Sequence, residues 1–228
     1  MRKIFIGYDE RQRMSYHVLA QSLVERASEP LAITALRLEQ LPMKRRGLTP
    51  FTWSRFIVPF LCGFEGWALF MDADMIATSD IARVFDCADD RYAVMVRKTN
   101  HAPFEWASLM LFNCAHEANR VLTPQNIDAN VVNGLHAIKW CAPEHVGELA
   151  SEWNHCVGYD DPALGVQAHV LHYTQGVPMW PETEGGDNSS FWHKEFEEMH
   201  TAAEWKALMG KSVHAGHVYE RLKKQNAG

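Results

Sequence analysis

The stretch Trp67-Ala68-Leu69-Phe70-Met71-Asp72-Ala73-Asp74-Met75 constrains this chain more than any other. Five uncharged residues run straight into two carboxylates separated by one small residue, the pattern of a fully buried strand that ends at a polar edge. On an extended chain, residues i and i+2 share a face and lie about 6.6 Å apart, so Asp72 and Asp74 can address one cation while Ala73 points away. Two carboxylates this close are costly without such a cation. A hard divalent ion that also holds a phosphate-bearing substrate is the simplest occupant, because Mg²⁺-type ions combine one or two carboxylates with phosphate oxygens. The plainer alternative is a strand-end loop that is merely rich in Asp.

The preceding segments place this edge in a sheet. Lys3 to Gly7 reads as a short strand, and Gly7-Tyr8-Asp9 ends it where a ligand can approach the backbone. From Arg11 to Ala27 the residues Met14, Val18, Leu19, Leu23 and Ala27 recur at helical spacing, Pro30 closes the segment, and Ala32 to Leu36 is a second strand. Strand, helix, strand opens a parallel α/β sheet, whose ligands bind beyond the carboxyl ends of its strands. Tyr8 and Asp9 therefore fall where Asp72 and Asp74 do, although Asp9 is equally placed to cap the helix. Phe51 to Leu61 reads as a helix bent or ended by Pro59, with Arg55 either paired to a carboxylate or aimed at an anion. Lys44, Arg45 and Arg46 lie in a polar connection that reads as a solvated loop, with a diphosphate contact as the sharper alternative. Further strands are expected over Tyr92 to Val96 and Val166 to Tyr173. Arg97 to Glu105 reads as a loop holding His101 and Pro103, and Thr123-Pro124 as a helix start.

Composition excludes several classes. With 228 residues, 47% hydrophobic, 22% charged and a formal net charge of -6, the chain suits one large domain or a domain with an extension. No nucleic-acid footprint is expected. Met1 to Gly7 holds too short an apolar run for a signal peptide or membrane span, and the five cysteines form no Cys-x-x-Cys, so a cytoplasmic protein with reduced thiols is expected.

The order of Ile6-Gly7-Tyr8-Asp9, Thr52-Trp53-Ser54-Arg55-Phe56, Leu69 to Met75 and Asp80-Ile81-Ala82 resembles family 8 glycosyltransferases, metal-dependent retaining enzymes of the GT-A nucleotide-diphospho-sugar transferase fold. Ser108-Leu109-Met110-Leu111-Phe112-Asn113 and His172-Tyr173-Thr174-Gln175-Gly176-Val177-Pro178-Met179-Trp180 extend the likeness, which spans about residues 3 to 180. Asp-x-Asp at a strand end also resembles haloacid-dehalogenase phosphatases, but those enzymes usually carry Thr or Val at the position of Met75 and usually open their domain with that strand. The glycosyltransferase resemblance implies that Asp72, Asp74 and His172 bind a manganese-type ion (Mn²⁺ or Mg²⁺). It implies that Tyr8 and Asp9 meet the nucleotide base and that Arg55 approaches the donor phosphates or sugar. By the same resemblance Gly176 lets the backbone close on the diphosphate, and the Asn154 side chain faces the active site beside Trp153. Gly7 and Ala73 belong to the same donor-binding set. Asn133 and His136 stand where many relatives carry Asp-Gln near the reacting sugar, and Trp106-Ala107-Ser108 where many carry Asn-Ala-Gly. In a strand, His169 and His172 point to opposite faces, so one of them reaches the ion and His169 is expected to be packed.

After Trp180 the composition changes. Pro181 to Ser190 reads as an acidic lid or linker, Thr201-Ala202-Ala203-Glu204 as a capping box, Gly210 as a helix stop and Lys211 to Gly228 as a tail. The expectation is therefore an α/β chain of GT-A type, with a central, mostly parallel sheet flanked by helices. Residues 1–180 would bind the nucleotide-sugar and 181–228 would form a helical extension of the same domain. Its expected function is sugar transfer from a nucleotide-diphospho-sugar, UDP by resemblance, to an unknown acceptor, with no membrane span. The alternatives are phosphatase or nucleotidyltransferase chemistry at the same carboxylates, or a nucleotide-sugar-binding or phage-type structural protein without catalysis.

Overall fold

Arg2–Gly7 forms β1, a 3₁₀ turn at Glu10–Gln12 leads into α1 (Arg13–Arg26), and Leu31–Leu36 forms β2. This computed structural model describes residues 1–100 and 103–200 together with position 216. The helix expected over Phe51 to Leu61, bent or ended by Pro59, is α2 (Phe51–Ser54), a 3₁₀ stretch at Arg55–Ile57, and α3 (Val58–Leu61). Pro59 is the cause. It has no N–H to donate to the carbonyl four residues back and its ring crowds that carbonyl, so the α ladder lapses before it and restarts with Pro59 in the first turn.

The next elements are β3 (Trp67–Met71), β4 (Met75–Ala77), β5 (Val94–Val96), β6 (Leu109–Asn113), α4 (Pro124–Asp128), β7 (Val146–Glu148), β8 (His155–Cys156) and β9 (Val170–His172), followed by α5 (Ser189–His200). The main sheet runs in the order β2-β1-β3-β6-β5-β7, and β4, β9 and β8 form a small second sheet. In the main sheet β2, β1 and β3 are parallel neighbours, β6 is antiparallel to both β3 and β5, and β7 is parallel to β5. A central strand pattern without polar alternation, as in Ala68-Leu69-Phe70-Met71, reflects cover on both faces. Phe70 packs with Phe5, Phe56 and Phe112 on one side, while Leu69 packs with Ile4, Leu19 and Leu111 on the other.

Two strands differ from the sequence expectation. β5 begins two residues later than expected, and Val166 to Tyr173 is strand only over Val170–His172, because Pro162–Gln167 coils into a 3₁₀ helix capped by Asp161. The C-terminal helix α5 packs on α1, with Trp192 buried against Val18 and an ion pair between Arg26 and the buried Glu195. The capping box at 201–204, the stop at Gly210 and the tail beyond it, position 216 apart, lie outside the described residues, as does His101. Among the described residues no helix is long and apolar enough to cross a membrane.

Register brings the ligand-facing segments together. Ile6 of β1 pairs with Met71 of β3, so Gly7-Tyr8-Asp9 and Asp72-Ala73-Asp74 leave the sheet side by side at its carboxyl edge. Gly7 has a packing reason of its own: a Cβ there would lie 2.5 Å from the Phe51 ring. Gly7→Ala should therefore force Phe51 and α2 outward and destabilise the fold by about 1–3 kcal/mol. Urea denaturation checks this; an unchanged midpoint would show that Phe51 yields freely.

Candidate functional site

The Asp-x-Asp segment sits where the chain passes from one sheet to the other. β3 ends at Met71 in the main sheet and β4 begins at Met75 in the small one, so Asp72 and Asp74 occupy the seam. The Asp72 N–H donates to the Ser108 carbonyl at 2.9 Å and the Asp74 carbonyl accepts from Tyr173 N–H at 2.9 Å, which ties the seam to the segment before β6 and to the end of β9. β4 and β9 are antiparallel with Met75 opposite His172, so the imidazole arrives one residue from Asp74. One ligand atom from each of Asp72, Asp74 and His172 lies within 4.8 Å of the others. Among the described residues this is the cluster with the donor set of a metal site.

Each side chain is held. Arg55, itself buried, directs Nη1 to Asp72 Oδ2 at 3.1 Å and Nη2 to Oδ1 at 3.0 Å, and also donates to the Ala107 and Phe51 carbonyls. Its guanidinium lies over the Phe70 and Phe51 rings at 5.1 and 5.4 Å. His172 Nε2 lies 3.4 Å from Asp74 Oδ1, while its Nδ1 faces Asn154 Oδ1 at 3.1 Å and Glu105 Oε2 at 3.8 Å. Asp72 Oδ1 and Asp74 Oδ1 are buried and make no aligned hydrogen bond. Two carboxylates and an imidazole nitrogen form a hard-to-borderline ligand set suited to Mn²⁺ or Mg²⁺, so the residues fit the ion that the resemblance implies.

Electrostatics agree with a site awaiting a dication. Burial pushes the Asp72 carboxyl up to about 7, against the pull of Arg55, with Asp74 and Glu105 adding to the rise. Burial opposes charge on His172, but Asp74 and Glu105 outweigh it and hold the imidazole well above its ordinary value. Glu105 is likewise raised, first by burial. In the metal-free protein a proton thus supplies part of the positive charge that a cation would bring.

The remaining sequence-predicted residues divide. Ala73 is buried between the two carboxylates in the chain, as its small size allows. Tyr8 is half-buried, edge-on to Tyr16, with the Arg37 guanidinium 5.8 Å over its ring. Asp9 caps the Glu10–Gln12 turn through Arg11 N–H and is held by the Arg11 guanidinium, which keeps it below the usual carboxylate range. Gly176 adopts φ +110, a conformation that favours glycine, and lines a cavity of about 240 Å³ whose far wall is Glu182, Thr183, Gly185, Gly186 and Asp187 from the acidic segment. Asn133 is exposed. His136 packs edge-on to Trp53 and Phe56, and burial with Arg55 nearby lowers it to about 4, so it is neutral. Arg45 lies 3.5 Å over Trp53 and donates to the Ile127 carbonyl. His169 is turned away from the ion site, its Nδ1 2.9 Å from Ser79 Oγ and its ring against Trp153.

The sequence gives no role to the Glu105 carboxylate, and it marks Ser108 only as part of a motif segment, without its link to the imidazole. Both lie in the 3₁₀ segment Pro103–Ser108, which has no periodicity to flag it. The one signal in the sequence is a carboxylate at the end of the loop Arg97 to Glu105.

No family model matches the chain. Protein CDI of Arabidopsis thaliana is 32% identical over 225 residues, covering 86% of each protein. The glycosyltransferase GlyE of Streptococcus pneumoniae TIGR4 superposes with a TM-score of 0.64 at 18% identity, over 86% of this chain and 61% of GlyE, so the chain spans about three fifths of that protein. The galactosyltransferase LgtC, solved with donor and acceptor sugar analogues, superposes with a TM-score of 0.59 at 12% identity, over 90% of this chain and 99% of LgtC. A glycosyltransferase involved in glycosylation of the major capsid of PBCV-1 gives 0.53 at 13%, over 86% and 98%. At such identities the likeness establishes the GT-A fold.

Binding a cation must release protons from this cluster. Below pH about 7 Asp72 retains its proton and His172 is cationic, so Mn²⁺ affinity should rise as pH increases through that range. Calorimetry in buffers of different ionisation enthalpy reads the released protons; affinity independent of pH with no proton released would contradict the assignment.

Proposed function

The chain belongs to the family of Protein CDI of Arabidopsis thaliana, and on its fold and its Asp-x-Asp site we propose that it is a metal-dependent glycosyltransferase of the family 8 type. It moves a sugar from a nucleotide-diphospho-sugar, UDP-linked by resemblance, to a hydroxyl-bearing acceptor with retention of configuration. The observation that carries this reading is the convergence of Asp72, Asp74 and His172 within 4.8 Å at the carboxyl edge of a GT-A sheet. A divalent cation held there supplies Lewis-acid neutralisation of the charge that builds on the departing diphosphate.

The protein's own groups divide the remaining work. Tyr8 and Asp9 border the base, Arg55 fixes Asp72 and adds positive charge behind it, and Gly176 lets the backbone approach the diphosphate. Asn154 holds the His172 ring. Residues 1–180 carry the donor site, and the acidic segment after Trp180 closes over it from the extension. The bond from the anomeric carbon to the diphosphate breaks, the acceptor oxygen bonds that carbon, and the hydroxyl proton leaves to solvent. Phosphatase chemistry is less well supported, since both oxygens of Asp72 face Arg55 and leave it little freedom as a nucleophile.

UDP should raise the melting temperature only when Mn²⁺ is present, and Asp74→Asn should abolish that shift. The unaltered protein with UDP-sugars and Mn²⁺ should release UDP slowly by donor hydrolysis. A UDP shift unaffected by Mn²⁺ or by Asp74→Asn would remove the metal from the donor site, and UDP binding without any turnover would indicate a binding protein.

A further inference from the structure

A chain of directed hydrogen bonds lies behind the metal-facing imidazole. The Ser108 hydroxyl donates to the Glu105 carbonyl, which has no proton to give, so the direction of this bond is fixed. With its proton committed, Ser108 Oγ can only accept from Asn154 Nδ2, at 3.0 Å. That orients the amide, and Asn154 Nδ2 also lies 3.4 Å from the Glu105 carbonyl. Asn154 Oδ1 must then face His172 Nδ1, at 3.1 Å, as an acceptor. The proton of the neutral imidazole is accordingly held on Nδ1, and the Nε2 lone pair is left toward Asp74 and the cation site.

We propose that Ser108 is a positioning residue that, through Asn154, selects the Nδ1–H tautomer of His172 and so presents Nε2 to the metal. The inference rests on the metal reading above and deepens it. Three observations support the assignment. Ser108, Asn154 and His172 are all buried, so water does not compete for these bonds. The Ser108 carbonyl also receives the Asp72 N–H, so one residue braces both the carboxylate and the imidazole side of the site. Glu105 Oε2 lies 3.8 Å from the same Nδ1, adding negative charge on the side where the N–H dipole points. Side chains behind a ligating histidine tune metal affinity by about 10- to 100-fold.

The test has two arms. In the metal-free protein labelled with ¹⁵N-histidine, long-range nitrogen–proton correlations at a pH above the His172 titration should show the proton on Nδ1. A proton on Nε2 would overturn the proposal without any variant. In calorimetry, Ser108→Ala should weaken Mn²⁺ binding about tenfold, and Ser108→Thr, which keeps the hydroxyl, should restore most of it. Melting of the metal-free variants reports whether the fold is intact. Unchanged Mn²⁺ affinity in Ser108→Ala would overturn the inference alone. Failure of the unaltered protein to bind Mn²⁺ would overturn the metal reading and this inference with it.

Discussion

The antiparallel register that sets Met75 opposite His172 is the constraint on which the site depends. Asp72 and Asp74 are contributed by the end of β3 and the turn into β4, whereas the imidazole comes from about a hundred residues further along the chain. A slip of one residue between β4 and β9 would turn His172 to the other face of its strand and put the carboxylates alone at the seam. The register is fixed by burial of Ile76, Val170 and Leu171 and by the Tyr173 N–H on the Asp74 carbonyl.

Around that register the charges are only partly balanced by the protein's own groups. Arg55 balances part of the Asp72 charge from a buried position between two aromatic rings, and removing one partner of such a buried pair typically costs about 3–5 kcal/mol. One arginine does not neutralise three carboxylates. Asp74 and Glu105 outweigh burial and raise His172, and burial raises Asp72 and Glu105, so the metal-free cluster carries protons at neutral pH. The same features that make this cluster expensive for the fold give it the donor set of a cation site.

Much of this was legible in the sequence because it is local. The uncharged run into Asp72-Ala73-Asp74, the strand–helix–strand opening and the capping position of Asp9 all follow from spacing along a few residues, and the parallel β1–β3 edge follows from them. Other features depend on contacts that no short window contains. The 3₁₀ segment Pro103–Ser108 has neither a 2-residue nor a 3.6-residue repeat, so nothing local shows that Glu105 and Ser108 turn toward His172. Pro59 was expected to disturb the helix, but the lapse falls ahead of it, at Arg55–Ile57, where the missing N–H would have bonded. Gly7 was expected beside the ligand, yet its lack of a side chain is also demanded by Phe51, a residue 44 positions away whose approach the sequence does not announce.

The central claim is that His172 joins the two carboxylates on one cation. Pulsed electron paramagnetic resonance of Mn²⁺ bound to the protein reads directly coordinated nitrogen. One imidazole nitrogen should be coupled to the ion, lost in His172→Ala and kept in His169→Ala. A bound Mn²⁺ with no coupled nitrogen, or with a coupling that survives His172→Ala, would contradict it.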